Sequence, residues 1–170
     1  MRKLVAIAAV IVGLWAGQAA LAAQASATVH VRWTILPFVA ISLTGQPGQE
    51  SVVATTPIPA PSPADYQRGF IVIRDALRLT VFSNTSWTVY VQALSPNLGT
   101  SYDGEFTWPI EALSAGVNGN FVPVSQGPQA LARGGHGVHS LPVDYRISIP
   151  QQPLPPGNYQ VTLLYTVTTD

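Results

Sequence analysis

The residues best suited to chemistry are few and fall into three small groups. His136 and His139, in GGHGVH, stand three apart in a glycine-rich stretch. Such a pair could hold a transition metal, with Asp144 or His30 as a further ligand, but two histidines on a glycine loop read equally well as solvated side chains. Asp103 and Glu105 flank Gly104 in YDGEFTW, and with Glu111 they could approach a calcium ion. Calcium takes six to eight oxygens, whereas a hairpin turn accounts for Asp-Gly unaided. The same acids could be drawn as a glycosidase pair, but nothing in the spacing fixes their separation. Tyr102, Phe106 and Trp108 could stack on sugar rings; Phe106 and Trp108 follow the strand period, which favours a core role. There is no G-x-S-x-G, no H-E-x-x-H and no phosphate-binding glycine loop. The chain therefore reads as non-catalytic, with no metal and no cofactor. A carbohydrate-binding module using Tyr102, Phe106 and Trp108 is one alternative, and a hydrolytic enzyme with an unrecognised site is another.

Composition narrows the class. The 170 residues hold 8 Lys+Arg against 8 Asp+Glu, are 47% hydrophobic and 9% charged, and include 15 Pro and no Cys. A disordered chain needs the opposite balance. Without cysteine there is no disulfide, thiolate zinc site, iron–sulfur cluster or thiol nucleophile. Balanced charge argues against nucleic acid, and the arginines are scattered singly along the chain.

The first segment predicts export. Arg2 and Lys3 precede the apolar run Leu4–Trp15, and small residues follow to Ala27. These are the parts of a secretory signal peptide, residues 1–22, with cleavage before Ala23; Ser26 is a second site, and an uncleaved anchor is the alternative. Cleavage would remove the only lysine and the only methionine, leaving six arginines against eight acids. The expected location is secreted, periplasmic or on a bacterial cell surface, with residues 23–170 forming a single domain.

Alternation then dominates. TVHVRWTI (Thr28–Ile35) sets Val29, Val31, Trp33 and Ile35 on one face, predicting a half-buried strand, and FVAISLTG continues beyond Pro37. PIPAPSP (Pro57–Pro63) predicts an extended surface connection. RLTVF and WTVYVQA, joined by SNTS, predict a hairpin with Leu79, Val81, Trp87, Val89, Val91 and Ala93 inward. Asn84 also begins an N-glycosylation sequon, which reads here as turn chemistry. Asp103-Gly104 and Asn118-Gly119 predict turns, Pro123 an edge strand, and ARGGHGVH a flexible loop. LPVDYRISI and NYQVTLLYTVT alternate most cleanly. No helical window is convincing. About seven to nine short strands with Pro/Gly turns predict an all-β antiparallel sandwich.

Two stretches add a resemblance. SNTSWTVYV resembles the hairpin of many exported bacterial β-sandwich proteins. LPPGNYQVTLLYTV is similar to the ending of spore coat protein U-like and related pilin-like domains, with Tyr159 where that pattern, like the tyrosine corner of immunoglobulin-type folds, has its tyrosine. Together they cover about 23 of the 170 residues. The resemblance implies an Ig-like sandwich, export, and a structural or adhesive surface role. Chaperone–usher pilus subunits resemble the chain further, in an alternating C-terminal strand, a glycine fourteen places from the end (Gly157), and an N-terminal arm that completes a neighbour's sheet. Ser26–Ile35 is the matching arm, through Val29, Val31, Trp33 and Ile35, and the implied partners are the chain itself or other surface subunits. Thr169 stands where an aromatic is usual, and the disulfide of many such subunits is impossible.

Overall fold

The computed structural model describes Thr28 and residues 30–43 and 55–170. The signal segment with both cleavage sites, Val29, and the apolar stretch at residues 52–54 lie outside the described residues. The chain divides into two units at Ile35/Leu36, and among the described residues every strand lies in the second, Leu36–Asp170.

Among its described residues that unit is all-β, with eleven strands in three antiparallel sheets and almost no helix. A five-stranded sheet runs in the order β1 (Val39–Ser42), β2 (Phe70–Ser83), β9 (Gly137–Ser148), β6 (Leu113–Val117), β7 (Asn120–Pro123). A three-stranded sheet runs β11 (Leu163–Thr169), β3 (Trp87–Ala93), β8 (Gln129–Gly134). The third is β10 (Gly157–Tyr159), β4 (Asn97–Ser101), β5 (Thr107–Pro109). Eleven exceeds the expected seven to nine because turns cut the alternating runs: NYQVTLLYTVT becomes β10 and β11, which pair in different sheets.

The alternation places the core correctly. Leu79 and Val81 from β2, Val89 and Val91 from β3, and Val143 from β9 are all fully buried, and Trp87 is 1% exposed. Burying each such side chain contributes roughly 1.5–3 kcal/mol. These residues form one cluster with Ala115, Val124 and Ile147, packed in sandwich-like fashion between the five-stranded sheet and the β11–β3–β8 sheet.

Three expectations are corrected. SNTS does turn the chain, but β2 pairs with β1 and β9 while β3 pairs with β11 and β8, so the turn crosses between sheets instead of closing a hairpin. Period two reports which face is buried, and both connections bury the same faces. ARGGHGVH is mostly strand: β8 runs to Gly134 and β9 starts at Gly137. Gly134 is a packing glycine there, since an added Cβ would strike the Trp87 indole. A six-residue helix, α1 (Pro63–Arg68), was also not expected. Its signal is Ser62-Pro-Ala-Asp65, a capping box in which Asp65 N–H donates to Ser62 Oγ (3.3 Å) and Ser62 N–H to Asp65 Oδ2 (2.8 Å), with Pro63 opening the first turn.

Other readings stand. Residues 55–62 carry no regular secondary structure, as a proline tract requires. β7, containing Pro123, is an edge strand. Asn118 and Gly119 turn β6 into β7 with φ of 54° and 82°, the positive pair of a tight hairpin.

Candidate functional site

The alternating segment before β1 is where sequence and structure part most sharply. Residues 30–38 carry no regular secondary structure, and Val31, Trp33 and Ile35 are 78%, 76% and 71% exposed. Leu36 and Phe38 continue the exposed apolar series. A half-buried strand was expected, and the register explains why none forms. β1 and β2 pair Val39 with Ser83 and Ile41 with Val81. Carried backwards, that register would set Ile35 against Trp87 and Val31 against Val91. Trp87 is already paired on both sides, with Gly134 and Thr169, and so is Val91, with Gln129 and Tyr165. The ladder therefore has no free backbone to offer.

The chain is clasped where that ladder stops. Phe38 N–H donates to Asn84 Oδ1 (2.8 Å), and Asn84 Nδ2 donates to the Leu36 carbonyl (3.0 Å). Asn84 N–H and Ser83 Oγ both donate to the Phe38 carbonyl, at 3.3 and 3.1 Å. Both ends of the sequon amide are thus engaged in holding residues 36–38, a role that SNT does not announce.

One sheet edge of the second unit is also notable for its sequence. Among the described residues β11 pairs only with β3, and its other edge, which β1 approaches without pairing, carries no strand. It is the longest edge strand, and its LLYTVTT contains neither proline nor charge, the devices that usually blunt an edge. The inward side chains Leu163, Tyr165 and Val167 are only half-buried, whereas Val89 and Val91 beside them are fully covered. Tyr165 Oη meets Tyr145 Oη of β9 at 2.8 Å, tying this edge to the opposite sheet.

The remaining candidates are held by local bonds. Trp108 is 8% exposed and sits edge-on to Tyr159, with centroids 5.4 Å apart and an interplanar angle of 90°; Phe106 meets the same ring at 6.3 Å and 76°. Of the three aromatics Tyr102 is exposed, Phe106 is half-buried and Trp108 is buried. Beside them lies an open cleft of about 260 Å³ lined by Phe106, Trp108, Pro109, Ala112, Ser148, Ile149 and Pro150, with no titratable side chain. Tyr159 Oη donates to the Pro155 carbonyl (2.8 Å), a backbone acceptor four residues upstream. Gly157 opens β10, where a Cβ would lie 2.7 Å from the Thr100 carbonyl.

Asp103, Asp144 and His139 have bonding partners, whereas His30, Glu111 and His136 are exposed. Asp103 accepts from Ser101 Oγ and from Glu105 N–H, and these bonds hold its carboxyl below the usual range. His139 Nε2 lies 3.1 Å from the Gly135 carbonyl and 3.3 Å from that of His136, with its ring edge-on to Trp87. Asp144 faces the β2 bulge, accepting from Asp75 N–H (2.8 Å) and Arg74 (2.5 Å). Among the described residues no three His, Asp or Glu side chains gather as a metal-holding group. Arg68, Arg74 and Arg78 close on Asp65, Asp144 and Asp75. No helix among the described residues is long and apolar enough to cross a membrane.

No protein-family model matches this chain, and no curated protein matches it either.

Proposed function

We propose that this chain is an exported, non-catalytic immunoglobulin-like β-sandwich with a structural or adhesive role at the bacterial cell surface, and that it assembles by strand addition. In this reading residues 28–35 of one copy add to the free β11 edge of the next. The observation that carries it is the pairing of an exposed alternating segment, whose own register is used up, with a long uncharged edge whose inward residues are half covered. Strand addition would give the added segment backbone partners and close the apolar margin at Leu163, Tyr165 and Val167 in one step. Export is supported by the basic start, apolar run and small-residue exit of the first segment. The tyrosine-corner bond at Tyr159 supports the immunoglobulin-like form.

The test is solution mass by light scattering for the chain beginning at Ala23 and for the same chain lacking residues 26–34. Oligomers from the first and monomers from the second are expected. Monomers from both would overturn the assembly reading.

A further inference from the structure

We infer that Asn84 is the positioning residue of the arm: its side chain serves as the last rung of the β1–β2 ladder and fixes where the chain leaves the sheet. This rests on the strand-addition reading above and adds to it a device within each copy.

The argument starts from the register. After Val39↔Ser83 the next rung would pair Phe38 with Asn84, and the one after it Pro37 with Thr85. β2 ends at Ser83 and the chain turns away to β3, so backbone makes only half of that rung: Asn84 N–H donates to the Phe38 carbonyl (3.3 Å), and Phe38 N–H is left without a backbone acceptor. Asn84 supplies a substitute. A primary amide offers one acceptor and two donors on a short stem, the same groups as a peptide unit. Here the acceptor takes Phe38 N–H and a donor meets the Leu36 carbonyl. In an extended segment those two groups flank residue 37 and point to one side. Pro37 itself has no N–H to satisfy. The clasp therefore occupies what residues 36–38 offer on the β2 side, and pairing stops there.

A clasp at this point has a mechanical consequence. β1 is four residues long, and its Val39 and Ile41 pack against the core. A short edge strand frays easily when the chain before it moves. Holding Leu36 and Phe38 at Asn84 separates the motion of residues 28–35 from β1. The arm can then pass to a second copy without peeling the donor's own strand.

The experiment compares the chain from Ala23 with its Asn84→Ala and Asn84→Asp forms, by residue-resolved amide exchange and by subunit-exchange rate between oligomers. Asn84→Asp keeps the acceptor for Phe38 N–H and loses the donor to Leu36, so it reports even where Asn84→Ala fails to fold. In Asn84→Ala, exchange at Phe38, Ala40 and Ser42, whose amides face β2, is expected to rise about tenfold or more, the change that loss of one or two hydrogen bonds produces. Leu79 and Val91 should stay unchanged, and subunit exchange should alter in step with Phe38. Asn84→Asp should fall between the two. A uniform rise across β1, β2 and β3 would mark a general stabiliser and overturn the proposal, as would unchanged exchange at Phe38. A monomeric parent chain would instead remove the strand-addition reading, while exchange at Phe38 would still decide whether Asn84 clasps the segment.

Discussion

The phenol oxygens of Tyr145 and Tyr165 lie 2.8 Å apart and join β9 to β11 through the core. Tyr145 is 6% exposed, so its hydroxyl has little recourse to water once the partner is removed. Tyr165→Phe should cost about 1–3 kcal/mol, because it leaves that hydroxyl unpaired. The double change Tyr145→Phe with Tyr165→Phe should cost less than the single one, since nothing polar is then stranded. Urea unfolding of the four forms measures this, and a double loss equal to the sum of the two single losses would show that the two hydroxyls are not coupled.

The same pair makes stability fall on the alkaline side. Burial pushes the Tyr145 phenol up, and burial together with the adjacent Tyr145 oxygen pushes Tyr165 up further. The folded protein then holds protons that the unfolded chain releases near pH 10. Stability from this source is complete below about pH 10 and is lost as pH rises beyond it. Tyrosinate absorbance of the native protein should lag behind that of the urea-unfolded chain.

Asp144 makes stability fall on the acid side. Burial pushes its carboxyl up, but the Asp75 N–H, the Arg74 hydrogen bond and the Arg74 charge together hold it below the usual carboxylate value. Its contribution is present above about pH 4 and is lost as pH falls through the lower folded value. Asp144→Asn should lose about 1–3 kcal/mol at neutral pH, from weaker bonds at the bulge, and should flatten the acid side of the stability profile. A profile parallel to the parent's would contradict this.

Trp87 and Gly134 should behave as a coupled pair. Trp87 Nε1 donates to the Gly135 carbonyl (2.7 Å), and the indole fills the space where a Gly134 side chain would stand. Gly134→Ala should cost about 1–3 kcal/mol by overpacking. Trp87→Ala should cost about 3–5 kcal/mol as a core truncation. In the double variant the Gly134→Ala penalty should shrink, because its methyl then meets vacated space. Strict additivity in thermal unfolding would argue against the contact.

These contacts show where sequence reading succeeds and where it stops. Leu79, Val81, Trp87, Val89 and Val91 were legible as core because a strand buries alternate residues whatever its neighbours are. Partners were not legible, because the same SNTS turn serves a hairpin or a crossing between sheets. Gly134 read as loop because nothing local reports an indole packed against it. The alternation of residues 28–35 read as a strand of the domain, since pattern alone cannot say that the cognate register is already filled. Asn84 was legible as a turn residue, and its hold on Leu36 and Phe38, some 46 to 48 positions away, was not.

The central claim is that β11 receives the arm of another copy, and amide exchange across Leu163–Thr169 tests it most directly. The chain from Ala23 should protect these amides on both edges of the strand. Deleting residues 26–34 should release those facing the free edge, and adding a peptide of residues 26–36 should restore them. Equal exchange with and without the arm, or peptide protection confined to β7 or β8, would contradict the account.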